Sequence, residues 1–158
     1  MEEIAGICLI KDKNRAPEVL KVIEGKQTGE VVAKLKFGLI GGGSGSFIGD
    51  VHRKGAQFDD KSQLVAGCFS RSWDVTQETG TKLGIDPSRL YRSFHDMAVA
   101  EGQRSDGIDF VIIASPNNTH FEAAKVFLEN GIHVMCDKPL THQVEESEEL
   151  VRLAKERN

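Results

Sequence analysis

Lys36-Phe37-Gly38-Leu39-Ile40 reads as a short strand, and it breaks directly into Gly41-Gly42-Gly43-Ser44-Gly45-Ser46-Phe47-Ile48-Gly49. A glycine-rich corner between a strand and a helix carries no Cβ atoms. Backbone N–H groups and a helix N-terminus can therefore come close to a phosphate. The amphipathic stretch Phe47 to Phe58 supplies the helix that such a corner requires. Further along, a second apolar run ends in Cys136-Asp137-Lys138-Pro139, which brings a lysine to a strand end.

From residue 36 onward, short apolar runs alternate with helical patterns at the spacing of βαβ units, which predicts an α/β fold with a doubly wound parallel sheet. Strands are predicted at 36–40, 63–69, 89–91, 108–114 and 132–136. The runs 63–69 and 110–114 are almost continuously apolar, as strands buried on both faces are, and are expected to be central. Thr119-His120-Phe121-Glu122 has the form of a capping box, with Gly131 as the stop of the helix it opens. A last helix is predicted from an N-cap at Thr141, with Val144, Val151 and Ala154 on one face and acids preceding bases along it.

Residues 1–35 do not follow this rhythm and form an N-terminal extension of unknown role. Ile4–Ile10 is predicted as a strand, 11–14 as a turn and 17–24 as a short helix, ahead of a linker at Gly25 and Gly29. An added unit at the sheet edge, a partner-binding arm and a fused upstream segment all fit this pattern. The second domain, 36–158, is a dinucleotide-binding type of unit. At 158 residues the chain is long enough to bury a core without disulfide staples.

The net charge of −4 gives no electrostatic footprint for nucleic acid. Cys8, Cys68 and Cys136 are widely spaced and form no Cys-x-x-Cys pair, so neither a metal site nor a disulfide framework is indicated. No run of eighteen apolar residues and no basic leader is present, so the expectation is a soluble cytoplasmic chain with no membrane partner.

Gly41 and Gly43 fit the first two positions of a Gly-x-Gly-x-x-Gly turn, and Gly49 arrives three residues later than the third position requires. Read alone, the loop is also a flexible connector; its place between strand and helix favours the anion site. The next strand ends in Phe69-Ser70-Arg71-Ser72, with no carboxylate before Asp74. A carboxylate there would accept from the 2′-hydroxyl of NAD, whereas Ser70 and Arg71 lean toward the 2′-phosphate of NADP. The plain alternative is that Ser72 caps a helix and Arg71 is solvated. Ser115, Pro116, Asn117 and His120 follow the next apolar strand, where ligands of open α/β sheets lie. Lys138 is the catalytic candidate: its ammonium can hydrogen-bond a substrate hydroxyl or stabilise a developing alkoxide. A surface ion pair with Asp137 explains the same two residues.

In this order, the elements Ile48-Gly49-Asp50-Val51-His52, Ser115-Pro116-Asn117-Asn118-Thr119-His120 and Asp137-Lys138-Pro139 resemble the nucleotide-binding half of the Gfo/Idh/MocA oxidoreductases. The resemblance covers 36–158. It implies that Gly41, Gly43, Ser44, Gly45, Phe47 and Ile48 hold pyrophosphate. It also implies that Asp137, Lys138 and Pro139 lie at the nicotinamide, with the lysine at the reacting centre. Asp137 departs from the glutamate more common in the family, and the long corner Gly41 to Gly49 marks one branch of it. Family members continue into a substrate domain with an acid/base histidine. The expectation is thus an incomplete Rossmann-like sheet, without its sixth strand, truncated before that domain and inactive as an isolated chain.

Three readings follow. The first is the nucleotide-binding part of an NAD(P)-dependent oxidoreductase that transfers hydride from a sugar, polyol or cyclitol hydroxyl. Its small-molecule substrate would bind only if a substrate domain is supplied, and homo-oligomers are open to it. The second is a non-catalytic NAD(P)-binding or protein-interaction module, and the third is the product of an interrupted gene. Other dinucleotide-type enzymes fit less well. The only tyrosine, Tyr91, has His95 rather than lysine four positions on, and no Gly-Lys-Ser or Gly-Lys-Thr follows the glycines.

Overall fold

The computed structural model describes residues 8–9 and 33–157. The predicted turn at 11–14 and helix at 17–24 lie outside the described residues. Five strands form one sheet: β1 (Cys8–Leu9), β2 (Leu35–Gly41), β3 (Ser62–Cys68), β4 (Phe110–Ala114) and β5 (His133–Cys136), in the order β1-β5-β4-β2-β3. The last four are mutually parallel, and β1 runs antiparallel to β5, with Cys8 opposite Cys136 and Leu9 opposite Met135. Among the described residues, five helices connect and cover them: α1 (Phe47–Gln57), α2 (Trp73–Lys82), α3 (Phe94–Gln103), α4 (His120–Glu129) and α5 (Val144–Glu156).

The sheet is doubly wound, as its sequence rhythm predicts. One face carries Phe37, Leu39, Leu64, Phe69, Ile85 and Ile112, with Ala56 of α1 packed on them. Ile40, Val111 and Ile113 belong to the second core, with Met97 of α3, Ala123 and Phe127 of α4, and Leu150 of α5. Each fully buried Val, Leu, Ile, Phe or Met side chain among them contributes roughly 1.5–3 kcal/mol through removal from water. β4 is the most deeply buried strand, with Val111, Ile112 and Ile113 all at 0% exposure.

Four local expectations are corrected. β3 is the edge strand of the sheet rather than a central one, because the strand predicted at 89–91 shrinks to a single parallel bridge between Gly67 and Leu90. Pro87 opens a 3₁₀ turn over Pro87–Arg89 that Asp86 caps by accepting from Ser88 N–H, and only Leu90 and Tyr91 remain to reach the sheet before Ser93 caps α3. Thr119 occupies the N-cap position of α4, but its hydroxyl makes no capping bond. Its hydroxyl turns back to donate to the Pro116 carbonyl at 2.7 Å, inside a 3₁₀ turn over Asn117–Thr119. Likewise α5 starts at Val144, not after Thr141, whose hydroxyl donates to the Gln143 carbonyl at 2.7 Å. Its buried face is Leu150 and Ala154, while Val144 and Val151 lie about a quarter-turn round the helix and are exposed. Gly131 does end α4. With φ +72° it donates to Leu128 O while Ile132 N–H reaches back to Phe127 O, both at 3.0 Å, the paired bonds of a Schellman stop.

Candidate functional site

β2 leads through α1 to β3 on one side, whereas β4 leads through α4 to β5 on the other. The crevice where the winding reverses opens beyond the carboxyl ends of β2 and β4, the place where open α/β sheets bind ligands. Register fixes what meets there. Gly41 pairs with Ala114, so the glycine corner adjoins Ser115; Ile113 pairs with Cys136, so Asp137 and Lys138 come next along the same rim. With strands about 4.8 Å apart, three segments remote in sequence leave the sheet within about 10 Å of one another.

The corner is built around missing side chains. Gly41 has φ +78°, and a Cβ there would lie 2.5 Å from the Ala114 carbonyl oxygen. Gly42 has φ +72° and touches the first turn of α1 so closely that a Cβ on Gly49 would lie 2.2 Å from the Gly42 Cα. Hence Gly42, hidden in sequence among three consecutive glycines, is the partner of Gly49. Ser46 caps α1 by accepting from Gly49 N–H at 3.3 Å. Three corner amides are engaged internally: Gly43 N–H donates to Phe69 O at 3.1 Å, Ser44 N–H to Thr79 Oγ1 at 3.2 Å and Ser46 N–H to Gly43 O at 2.9 Å. The amides of Phe47 and Ile48, in the first turn of α1, have no intrahelical acceptor and form the donor end of the helix dipole. A cleft of about 510 Å³ opens beside the corner, lined in part by Arg53, Lys54 and Lys82. Asp50, also there, is held down to about 2 by the hydrogen bonds and charges of Arg53 and Lys54.

At the end of β3, Thr76 ties the chain down. Its buried hydroxyl accepts from Ser70 N–H at 3.1 Å and donates to Ser70 O at 3.2 Å, leaving Arg71 exposed. Ser72 occupies the N-cap position of α2, but its hydroxyl makes no capping bond. The Arg92 guanidinium lies 4.4 Å over the Trp73 ring at the start of α2. Thr76 and Thr79, one helical turn apart and both buried, were legible only as polar residues on the inner face of a helix.

Beyond β4, Pro116 and Asn117 are exposed on the rim. His120 is fully buried, with Nδ1 2.8 Å from the Pro139 carbonyl oxygen and Nε2 2.9 Å from that of Ser115. A cofactor contact from this ring would require one of those contacts to break. Beyond β5, Asp137 N–H donates to Ile113 O at 3.0 Å, Lys138 N–H donates to Asp137 Oδ1 at 2.9 Å, and the Lys138–Pro139 peptide is cis. The Asp137 carboxylate lies 3.5 Å from His52 Nε2. Among the described residues, no ion pair includes the exposed Lys138 ammonium. No cluster of three metal-ligating side chains occurs among the described residues, and none of their helices is long and apolar enough to cross a membrane.

A parallel doubly wound sheet with a glycine corner at its switch point defines a Rossmann-type nucleotide-binding domain. The model of the Gfo/Idh/MocA family, described as an oxidoreductase family with an NAD-binding Rossmann fold, matches residues 35–158, and the chain belongs to that family. Similar proteins include the uncharacterised oxidoreductase YfiI of Bacillus subtilis, 40% identical over 78% of this chain and 32% of that protein. The scyllo-inositol 2-dehydrogenase (NADP(+)) IolU of the same organism is 33% identical over 77% of this chain and 34% of its own length. Among solved structures, an inositol dehydrogenase homologue from Azotobacter vinelandii, complexed with NADH and myo-inositol, superposes with a TM-score of 0.77 at 40% identity, covering 79% of this chain and 33% of that one. The chain thus spans about one third of the length of these relatives.

Proposed function

We propose that this chain is the nucleotide-binding part of an NAD(P)-dependent oxidoreductase acting on a sugar, polyol or cyclitol hydroxyl, and that it favours NADP. The observation that carries this reading is the strand register, Gly41 against Ala114 and Ile113 against Cys136, which lines up the glycine corner, the Ser-Pro-Asn bend and Lys138 on one rim. The residues present fit a dinucleotide. At Gly41 and Gly49 a Cβ would collide with the Ala114 carbonyl and the Gly42 Cα, so glycine alone lets backbone and helix N-terminus pack into the tight corner that suits a pyrophosphate.

In this reading the Phe47 and Ile48 amides, with the Gly41–Gly45 corner, hold pyrophosphate, and Ser70 and Arg71 face the adenosine ribose, where a guanidinium suits a 2′-phosphate. Ser115, Pro116 and Asn117 border the nicotinamide half, and His120 supports them from beneath through its contacts to Ser115 O and Pro139 O. When bound, the nicotinamide supplies the hydride acceptor. Lys138 would donate a hydrogen bond to the substrate oxygen and stabilise the negative charge that develops there as a general base, the acid/base histidine that the family resemblance implies in a substrate domain, takes the hydroxyl proton. The relatives named above support the two halves of the proposal differently: the name of IolU carries NADP(+), and the Azotobacter complex contains NADH. Titration of the chain with NADPH and with NADH tests the reading. Arg71→Ala is expected to weaken NADPH about tenfold, or ~1.4 kcal/mol, and to leave NADH unchanged.

A further inference from the structure

The turn that carries Lys138 is gripped on both sides by imidazoles from different helices. On one side, His52 of α1 brings Nε2 to 3.5 Å from the Asp137 carboxylate, with side chains only 14% and 23% exposed. The same carboxylate oxygen accepts the Lys138 backbone N–H at 2.9 Å. On the other side, the buried His120 of α4 reaches the Pro139 carbonyl at 2.8 Å and the Ser115 carbonyl at 2.9 Å. The residues immediately before and after Lys138 are thus tied to the glycine-corner helix and to the Ser-Pro-Asn bend respectively. Lys138 itself is exposed and outside every ion pair of the described residues.

A lysine side chain has many rotamers, and holding its ammonium at one point costs on the order of 2 kcal/mol of entropy. A backbone that also moved would add to that cost. We propose that His52 is a positioning residue for Lys138: through Asp137 it locks the lysine turn to α1, opposite the hold that His120 takes on Pro139. The turn is then registered against the helix whose N-terminus faces the phosphates, so the nicotinamide half of the site is fixed relative to the pyrophosphate half. This inference rests on the reading of Lys138 given above.

Two substitutions separate the polar contact of His52 with Asp137 from mere filling of space. His52→Gln keeps an N–H donor of similar reach, whereas His52→Phe keeps the ring volume and removes the donor. In the unliganded 158-residue chain, amide hydrogen exchange at Lys138 and Leu140, the two residues of the turn that carry an amide hydrogen, is expected to accelerate about fivefold or more in His52→Phe. It should stay within about twofold of the parent in His52→Gln, with β4 amides unchanged in both. Wild-type exchange in His52→Phe, or equal acceleration in both variants, would overturn the proposal. If His52→Phe does not fold, Asp137→Asn weakens the same contact from the other side while keeping an acceptor for Lys138 N–H. It should accelerate the same amides, and no change there would be equally fatal.

Binding supplies the second readout. His52→Phe should weaken NADPH about three- to tenfold while leaving 2′,5′-ADP, which lacks the nicotinamide half, at parent affinity; equal losses for both ligands would contradict a role confined to the lysine turn. A parent chain that binds neither ligand would defeat the proposed function, yet the exchange measurement would still decide the role of His52.

Discussion

Gly49 and Gly42 show how little room the corner leaves. A methyl group on Gly49 would have to displace the Gly42 backbone, because only 2.2 Å separates its position from the Gly42 Cα. Gly49→Ala is therefore expected to cost ~1–3 kcal/mol in urea denaturation and to abolish dinucleotide binding. Lys138→Ala should behave in the opposite way and leave both stability and nucleotide affinity within error of the parent, since the ammonium serves the reacting end. Cys68 gives a pH signature. Burial, helped by the charge of Asp96, pushes its thiol up from 9.0 to about 11. A folded-state value above the unfolded one means that the contribution is fully present below pH 9 and is lost as the pH rises toward 11. A stability profile over that window should fall with pH in the parent and flatten in Cys68→Ala; below pH 9, alkylation of this thiol in the folded chain should be slow.

Among the elements, the segment before α3 is the one that sequence patterning described least well. Arg89 is buried there against Glu101 of α3, with Arg89 Nε donating to Glu101 Oε1 at 3.0 Å and Tyr91 Oη donating to the same oxygen at 2.7 Å. Burial and Glu101 together raise the Tyr91 phenol above its ordinary range. This polar triad pins the 3₁₀ turn to α3, and 89–91 meets the sheet only through the single bridge of Leu90 to Gly67, in which Tyr91 N–H donates to Gly67 O at 2.9 Å. Glu101→Ala leaves the buried Arg89 charge with only the Asp106 carboxylate, 3.9 Å away, and should cost ~3–5 kcal/mol, measurable as a lower urea midpoint. No periodicity marks a glutamate near a helix C-terminus as internal, so the triad was not legible beforehand. The hydroxyl caps expected at Thr119 and Thr141 failed for a related reason. Thr119 and Thr141 are good capping residues by composition, but each hydroxyl is turned to donate to a carbonyl of its own turn, that of Pro116 or Gln143, instead of accepting from a helix N–H. The Gly131 stop was legible because a positive φ at that position needs no tertiary partner.

For the whole molecule, the winding of the sheet and the strands that end at the rim were readable from the alternation of apolar runs with helical patterns. The apolar lengths of β2, β4 and β5 are dictated by burial on both faces, and that burial aligns their carboxyl ends. The pairing of β1 with β5 and the edge position of β3 were not readable, because neighbour relations in a sheet depend on contacts between distant segments. The same limit applied to His52, whose value lies entirely in what folding brings opposite it. The central claim is that this rim binds a dinucleotide. It is tested most directly by calorimetric titration of the 158-residue chain, with its fold verified by circular dichroism, against NADPH and NADH. Saturable one-to-one binding, tighter for NADPH and reduced by Arg71→Ala for NADPH alone, is the expected result; a folded chain that binds neither dinucleotide would contradict the account.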